Sequence, residues 1–284
     1  MQNILEILQD TAIDTIKLIP FLFITYLIME YIEHKTSNKL RDTIKESGKF
    51  GPLLGAVVGI FPQCGFSVSA TNLYAGRVIT IVTLIAVYIT TSDEMLPILL
   101  TEAVPITTIL TILGIKLVLG IIAGFIVDII FNFVKKEHQE HDDIEELCEH
   151  EHCHCEEGIV SSAIKHTLNI TIFIFVITLI LNGIITYIGE DTIAHFISKN
   201  IILGPIIAGL IGLVPNCAAS VILTELFISN VISMPVLISG VAVNAGVGLL
   251  VLFKTNKNIK ENVSIIGILY AIGVISGIVL ELFL

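Results

Sequence analysis

Charge is what this chain has least of. Asp, Glu, Lys and Arg make up 14% of its 284 residues, against 54% hydrophobic, and the mean hydropathy is +0.92. A soluble domain carries about a quarter charged residues, so a single soluble globule is excluded. Positive charge is scarcer still, with 15 basic residues to 26 acidic and a formal charge of -11, which argues against nucleic acid as a partner. The first fourteen residues lack a basic region and no small-residue cleavage site follows, so no cleavable signal peptide is expected. The apolar stretch from Thr15 onward is expected to be the first membrane helix. There is no Cys-x-x-Cys and no phosphate-binding loop, which counts against a thiol oxidoreductase and against nucleotide-driven work. Five cysteines without pairing logic do not make a secreted disulfide framework.

What remains reads as an all-α polytopic membrane protein lying in the lipid bilayer. Its charge is concentrated in one place. Residues 137–157 hold ten of the 26 acidic residues, five of the eight His and three of the five Cys. Within this segment His138, His141, Cys148, His150, His152, Cys153, His154 and Cys155 are borderline-soft ligands among carboxylates, suited to zinc or other late first-row metals. Their spacing matches no single closed tetrahedral site, so a flexible, multi-metal linker is expected. No resident cofactor is required.

The two flanking regions are copies of one another. Gly51-Pro52 precedes Pro62-Gln63-Cys64 just as Gly204-Pro205 precedes Pro215-Asn216-Cys217, at a constant offset of 153 residues. At that offset 51–79 and 204–232 agree at 11 of 29 positions without a gap, and Gly114, Gly120 and Gly124 fall on Gly267, Gly273 and Gly277. Small residues of this kind let membrane helices approach closely. The division is therefore repeat 1 (1–134), linker (135–157) and repeat 2 (158–284). Basic residues choose between parallel and inverted copies. Lys35, Lys39, Arg41, Lys45 and Lys49 follow the first helix, whereas the matching 187–203 carries only Lys199; Lys254, Lys257 and Lys260 match a stretch, 101–107, with none. Equivalent loops thus lie on opposite sides, which makes the repeats inverted. Lys135, Lys136 and Lys165 put the linker in the cytoplasm and both termini outside, in a prokaryotic cytoplasmic (inner) membrane.

Each half is expected to hold about five helical pieces, with long ones at 14–33, 109–134, 166–187 and 261–284. Gly51 to Phe61 covers about 16 Å of helix at 1.5 Å per residue, half of a hydrocarbon core, before Pro62 removes a backbone donor. The break therefore falls near the midplane. A second falls at Thr90–Glu94, matched by Val243–Gly246. Broken backbone at that depth is tolerated only where it is buried in protein or lines a cavity.

Candidate transport residues gather at these breaks. Pro62, Gln63 and Cys64 with Pro215, Asn216 and Cys217 offer unwound backbone, two amides and two thiols, and Ser67, Thr71, Asn72, Ser220 and Thr224 follow on the next turns. Ser92, Asp93 and Glu94 interrupt an apolar run, as does Asn244 in the second half. A charge inside a membrane segment marks a functional site by default, and Glu225 is a further acid of this kind; alternatively Asp93 only caps a helix.

GPLLGAVVGIFPQCGFS and GPIIAGLIGLVPNCAAS, with TSDEMLPIL in one half and NAGVGLLVLF in the other, resemble the ten-helix heavy-metal exporter family, over nearly the whole chain. Its members go by the names arsenic efflux protein and manganese transporter, and many carry a His-rich acidic central loop. The resemblance implies a non-enzymatic, secondary-active exporter of a metal or metalloid ion. The first expectation is a divalent cation such as manganese, exchanged for protons and held by oxygens of Asp93, Glu94, Gln63 and Asn216. The alternative is efflux of a trivalent arsenical through Cys64 and Cys217. From other classes, a membrane thiol oxidoreductase using Cys64 with Cys217 is opposed by the lack of a Cys-x-x-Cys and of a recognisable quinone or haem motif, and a metal sensor would leave the duplicated breaks unexplained.

Overall fold

The computed structural model describes residues 4–35, 51–61, 64–134, 159–188 and 202–283, which form helices and short connections with no strand among them. In chain order the helices are α1 (Ile4–Lys35), α2 (Gly51–Gly59), α3 (Cys64–Ala75), α4 (Ile81–Thr90), α5 (Met95–Thr101), α6 (Ile106–Val134), α7 (Ile159–Ile188), α8 (Leu203–Gly212), α9 (Cys217–Ile228), α10 (Met234–Val243), α11 (Gly248–Thr255) and α12 (Ile259–Phe283). The described residues thus hold six helical pieces on each side of the linker, where about five were expected, because each mid-chain break separates two short helices. The eight His and Cys ligands of the linker, and Pro62 and Gln63, lie outside the described residues.

Among the described residues, five stretches are long and apolar enough to cross a membrane: Ile81–Thr101, Ile106–Ile129, Ala163–Gly183, Met234–Thr255 and Ile259–Phe283. The protein is a polytopic, all-α membrane protein. Its surface bears this out. Leu110, Ile122, Phe125 and Ile129 on α6, Leu168 and Ile172 on α7, and Val263 and Ile275 on α12 are large apolar side chains left exposed. In water such a belt would be a severe aggregation surface; against lipid tails it costs nothing. By contrast α4 and α10 are buried on every side, from Val82 to Thr90 and from Pro235 to Val243. They form the centre of the molecule.

The short helices make two hairpins. A Cβ on Gly51 would strike the Thr83 side chain, and one on Gly59 would strike that of Thr90, so α2 runs parallel to α4 from its first turn to its last. Since α3 ends five residues before α4 begins, α2 and α3 enter and leave the bundle at the same end. The second half repeats this: Gly240 lies against Ala208, and Gly212 against Gly240 and Val243, so α8 runs parallel to α10. Caps recur as well. Thr80 accepts from the Thr83 N–H at 3.3 Å, and Ser233 accepts from the Val236 N–H at 3.4 Å. These satisfy orphan donors at the starts of α4 and α10. After each hairpin a non-glycine residue turns with positive φ, Arg77 at 57° and Asn230 at 59°.

Glycines decide how closely the long helices approach the centre. On α6, a Cβ at Gly124 would sit 2.7 Å from Pro52 and one at Gly120 would strike Thr90; on α12, one at Gly277 would sit 2.6 Å from Ser239 and one at Gly273 would strike Val243. Without hydrophobic drive between helices in lipid, such close packing is a main source of association. Gly114 and Gly267 differ: nothing lies within 4 Å, so close packing is not their reason.

Candidate metal centre

The two hairpin tips meet. Cys64 opens α3 and Cys217 opens α9, and their Sγ atoms stand 2.6 Å apart although 153 residues separate them. Both are free thiols and both are buried. Asp93 enters the same cluster from the break between α4 and α5. One ligand atom from each of Cys64, Asp93 and Cys217 lies within 4.8 Å of the others. Asp93 is 2% exposed, and neither of its carboxylate oxygens has a hydrogen-bond partner. A buried, unpartnered carboxylate is costly, and proteins ordinarily avoid one. The Asp93 lone pairs are therefore available to a ligand.

Asp93 has a left-handed backbone, φ 31°, and Gly246, its equivalent at the offset of 153, has φ 54°. The two positions face each other. A Cβ on Gly246 would lie 2.5 Å from Asp93 Oδ2. Only one carboxylate fits where the two breaks cross, and glycine yields the space while tolerating the turn.

The hydroxyls on the next turns hold the tips rather than face the cluster. Ser67 and Ser220 donate to the carbonyls of Cys64 and Cys217, each at 2.8 Å. Thr71 donates to Ser67 O at 2.7 Å, and Thr224 to Ser220 O at 2.6 Å. Ser92 donates to Thr90 O at 3.2 Å. Asn244 accepts from the Gly246 N–H at 2.9 Å and so shapes the second break, as Thr91 Oγ1 does for the first by donating to Val87 O at 2.7 Å. Asn216 caps α9, accepting from the Ala218 N–H at 3.4 Å and donating to Asn182, which donates in turn to Thr11 at 2.9 Å. Pro215 sits half-buried in the turn before that cap. Asn72 accepts from Tyr26 at 3.3 Å, about two turns beyond the Cys64 thiol. Glu225, named above beside Thr224, is exposed on α9. Thr224 points inward, and a step of 100° along the helix carries the next side chain away from the cluster.

Sequence reasoning overlooked Lys116. Its side chain is fully buried, and its ammonium donates to Thr91 O in the first half and to Val241 O, at 3.2 Å, in the second. Its charge attracts that of Asp93. The signal was a lysine in the middle of the apolar run 106–134, which burial in the membrane makes conspicuous. Also overlooked were Asp14, Lys17 and Thr178, which with Glu94, Asn216 and both thiols line a cavity of about 30 Å³ beside the cluster. Tyr88 was missed too; it shares a 2.6 Å hydrogen bond with Thr71.

At the opposite end of the bundle, Arg77 pairs with Glu261 at the start of α12, at 3.2 and 3.4 Å. Tyr74 donates to the same carboxylate, and the guanidinium carbon lies 5.5 Å from the centre of the Tyr74 ring. One half is thereby tied to the other.

No curated protein and no solved structure matches the chain. A family model does, over residues 3–174, and its description is "Putative, 10TM heavy-metal exporter". That match covers more than half of the chain, so two thiols and a carboxylate brought together inside a membrane bundle belong to a member of that 10TM heavy-metal exporter family.

Proposed function

We propose that the protein is a secondary-active exporter of a divalent heavy-metal cation, which it binds between Cys64, Cys217 and Asp93. The observation that carries this reading is the unpartnered Asp93 carboxylate within 4.8 Å of two thiols at the meeting point of two broken segments. Two sulfurs and one oxygen suit borderline-soft ions such as zinc, cadmium or cobalt better than manganese, which prefers an all-oxygen shell. Manganese would have to draw on Glu94, Gln63 and Asn216 for oxygens. The thiol pair itself favours a second reading, a trivalent arsenical held by both sulfurs, in which Asp93 has no ligand role.

The halves act as inverted repeats in this proposal. Support comes from direction: the span Ile81–Thr101, made of α4 and α5, begins at the end of the bundle that holds Arg77, whereas its counterpart Met234–Thr255, made of α10 and α11, finishes there, next to Glu261. Equivalent elements therefore run oppositely, an arrangement suited to alternating access about a fixed midplane site. The basic loops assign the Arg77 end to the cytoplasm of a prokaryotic cell and both termini to the outside. The His- and Cys-rich linker would then gather metal on the cytoplasmic side, and protons would return in exchange.

Transport of Cd²⁺ and of arsenite into everted membrane vesicles tests this. Cys64→Ser or Cys217→Ser should abolish either activity, since a hydroxyl is a poor ligand for a soft centre. Asp93→Asn should cost Cd²⁺ transport about 100-fold while sparing arsenite. Wild-type Cd²⁺ transport in Asp93→Asn would refute the cation reading.

A further inference from the structure

The cavity beside the thiols carries a second inference, which rests on the reading above. It is reached from α1 through Asp14 and Lys17, from the break between α4 and α5 through Glu94, from α7 through Thr178, and from the tips through Cys64 and Cys217. Its volume of about 30 Å³ exceeds the space that one water molecule needs. Asp14 lies ten residues into α1, about 15 Å along its axis, at the outer end of the apolar stretch 14–33.

Thr178 supplies an independent pointer. Threonines on this helix normally return their hydroxyl to the preceding turn: Thr167 donates to Ala163 O and Thr171 to Thr167 O, each at 2.7 Å. Thr178 does not. It is 3% exposed, its Oγ1 has no partner, and it lines the cavity. A hydroxyl that forgoes the bond available to it in a helix is free to hold something else.

We infer that this cavity is a second cation station on the route out, where oxygens of Asp14, Glu94 and Thr178 receive the metal as it leaves Cys64 and Cys217. Lys17 is its tethered stand-in. The Lys17 ammonium lies 3.3 Å from Asp14 Oδ1 and is attracted by Glu94 as well, so it occupies the station's charge when no metal is there. Both partners are substantially exposed, at 53% and 37%, and an ion pair so exposed opens readily. The station solves a problem that the thiol site creates. A soft cation leaves two thiolates slowly, and conduction demands successive sites, each weak enough to release its ion. Oxygen ligands one step away offer a looser, exchangeable hold.

The test uses the full chain in liposomes with Cd²⁺ as the probe, reading flux and, separately, the thiolate-to-cadmium charge-transfer absorbance of the central site. Asp14→Asn and the isosteric Thr178→Val should each lower maximal flux at least about fivefold while the absorbance titrates within about twofold of wild type. Lys17→Met should act in the opposite sense, lowering the KM for Cd²⁺ offered from the side of the α1 N-terminus. Maximal flux at the wild-type level in both Asp14→Asn and Thr178→Val overturns the station. So does a parallel loss in Asp14→Asn and Lys17→Met, the mark of a merely structural ion pair. Absence of the charge-transfer band from the wild type would overturn the central site, and the station with it; a normal band with unchanged flux in the variants overturns the station alone.

Discussion

Exchanging the residues at 93 and 246 tests the centre most severely. The two positions are equivalent at the offset of 153 residues and both turn with positive φ, 31° and 54°. Asp and Gly are residue types that accept that backbone. Gly246→Asp alone would drive a second carboxylate against Asp93, since even a Cβ at 246 would lie 2.5 Å from Oδ2. Two like charges about 4 Å apart at an effective dielectric of about 20 repel by about 4 kcal/mol, enough to displace one of them or to unfold the site. Asp93→Gly alone removes the sole carboxylate of the cluster and should cost Cd²⁺ flux about 100-fold. The double variant Asp93→Gly/Gly246→Asp relieves the collision and returns one carboxylate to the crossing, from the other half. Flux in liposomes should recover to within about tenfold of wild type, a gain of about 1.4 kcal/mol over Asp93→Gly, and thermal stability in detergent should exceed that of Gly246→Asp. A double variant as inactive as Asp93→Gly, though folded, would refute the view that either half can supply the third ligand.

Three further expectations follow from the same geometry. In Lys116→Met the carbonyls of Thr91 and Val241 lose a donor, at about 1–3 kcal/mol each, but a costly buried ammonium disappears. Asp93 also loses the positive charge that attracts it, so thermal stability should fall, while Cd²⁺ binds roughly tenfold more tightly beside one less positive charge and is released more slowly; looser binding in calorimetry would contradict this. Glu261→Gln breaks the tie to Arg77 and Tyr74, a partly exposed pair worth about 1 kcal/mol, and should open the Arg77 end more often, seen as faster alkylation of Cys64 by a reagent applied from that side; unchanged labelling would show the tie is no gate. Deleting residues 138–157 should leave maximal flux intact and weaken transport mainly at low metal concentration. Complete loss of flux at saturating metal, with the shortened chain folded, would place the linker in the pathway.

Much of this was legible from composition and spacing. The apolar excess required a membrane, the offset of 153 paired the halves, and Pro62, Pro215 and the polar interruptions at Asp93 and Asn244 located four breaks, because proline and uncompensated polar groups are costly in lipid wherever they fall. The cysteines stood out by being repeated. Glu225 shows what such reading lacks: it is exposed while its neighbour Thr224 is buried, because a helix turns the next residue away. Local pattern knows the period of a helix but not which of its faces a partner covers.

Tertiary structure alone decided the rest. That Cys64 touches Cys217 depends on two hairpin tips meeting, and that Asp93 stands without a partner beside them depends on Gly246 giving way. No local rule relates residues 153 apart in that manner. Lys116 is inconspicuous as one lysine in a long helix, and becomes a member of the site only when carbonyls from both halves converge on its ammonium. Thr178 becomes notable only once its sister threonines are seen to bond back and it does not. The sequence by itself determined which groups are expensive to bury in a membrane. The packing of the two halves decided which of those groups meet, since meeting depends on long-range approach and not on the order of residues along a chain.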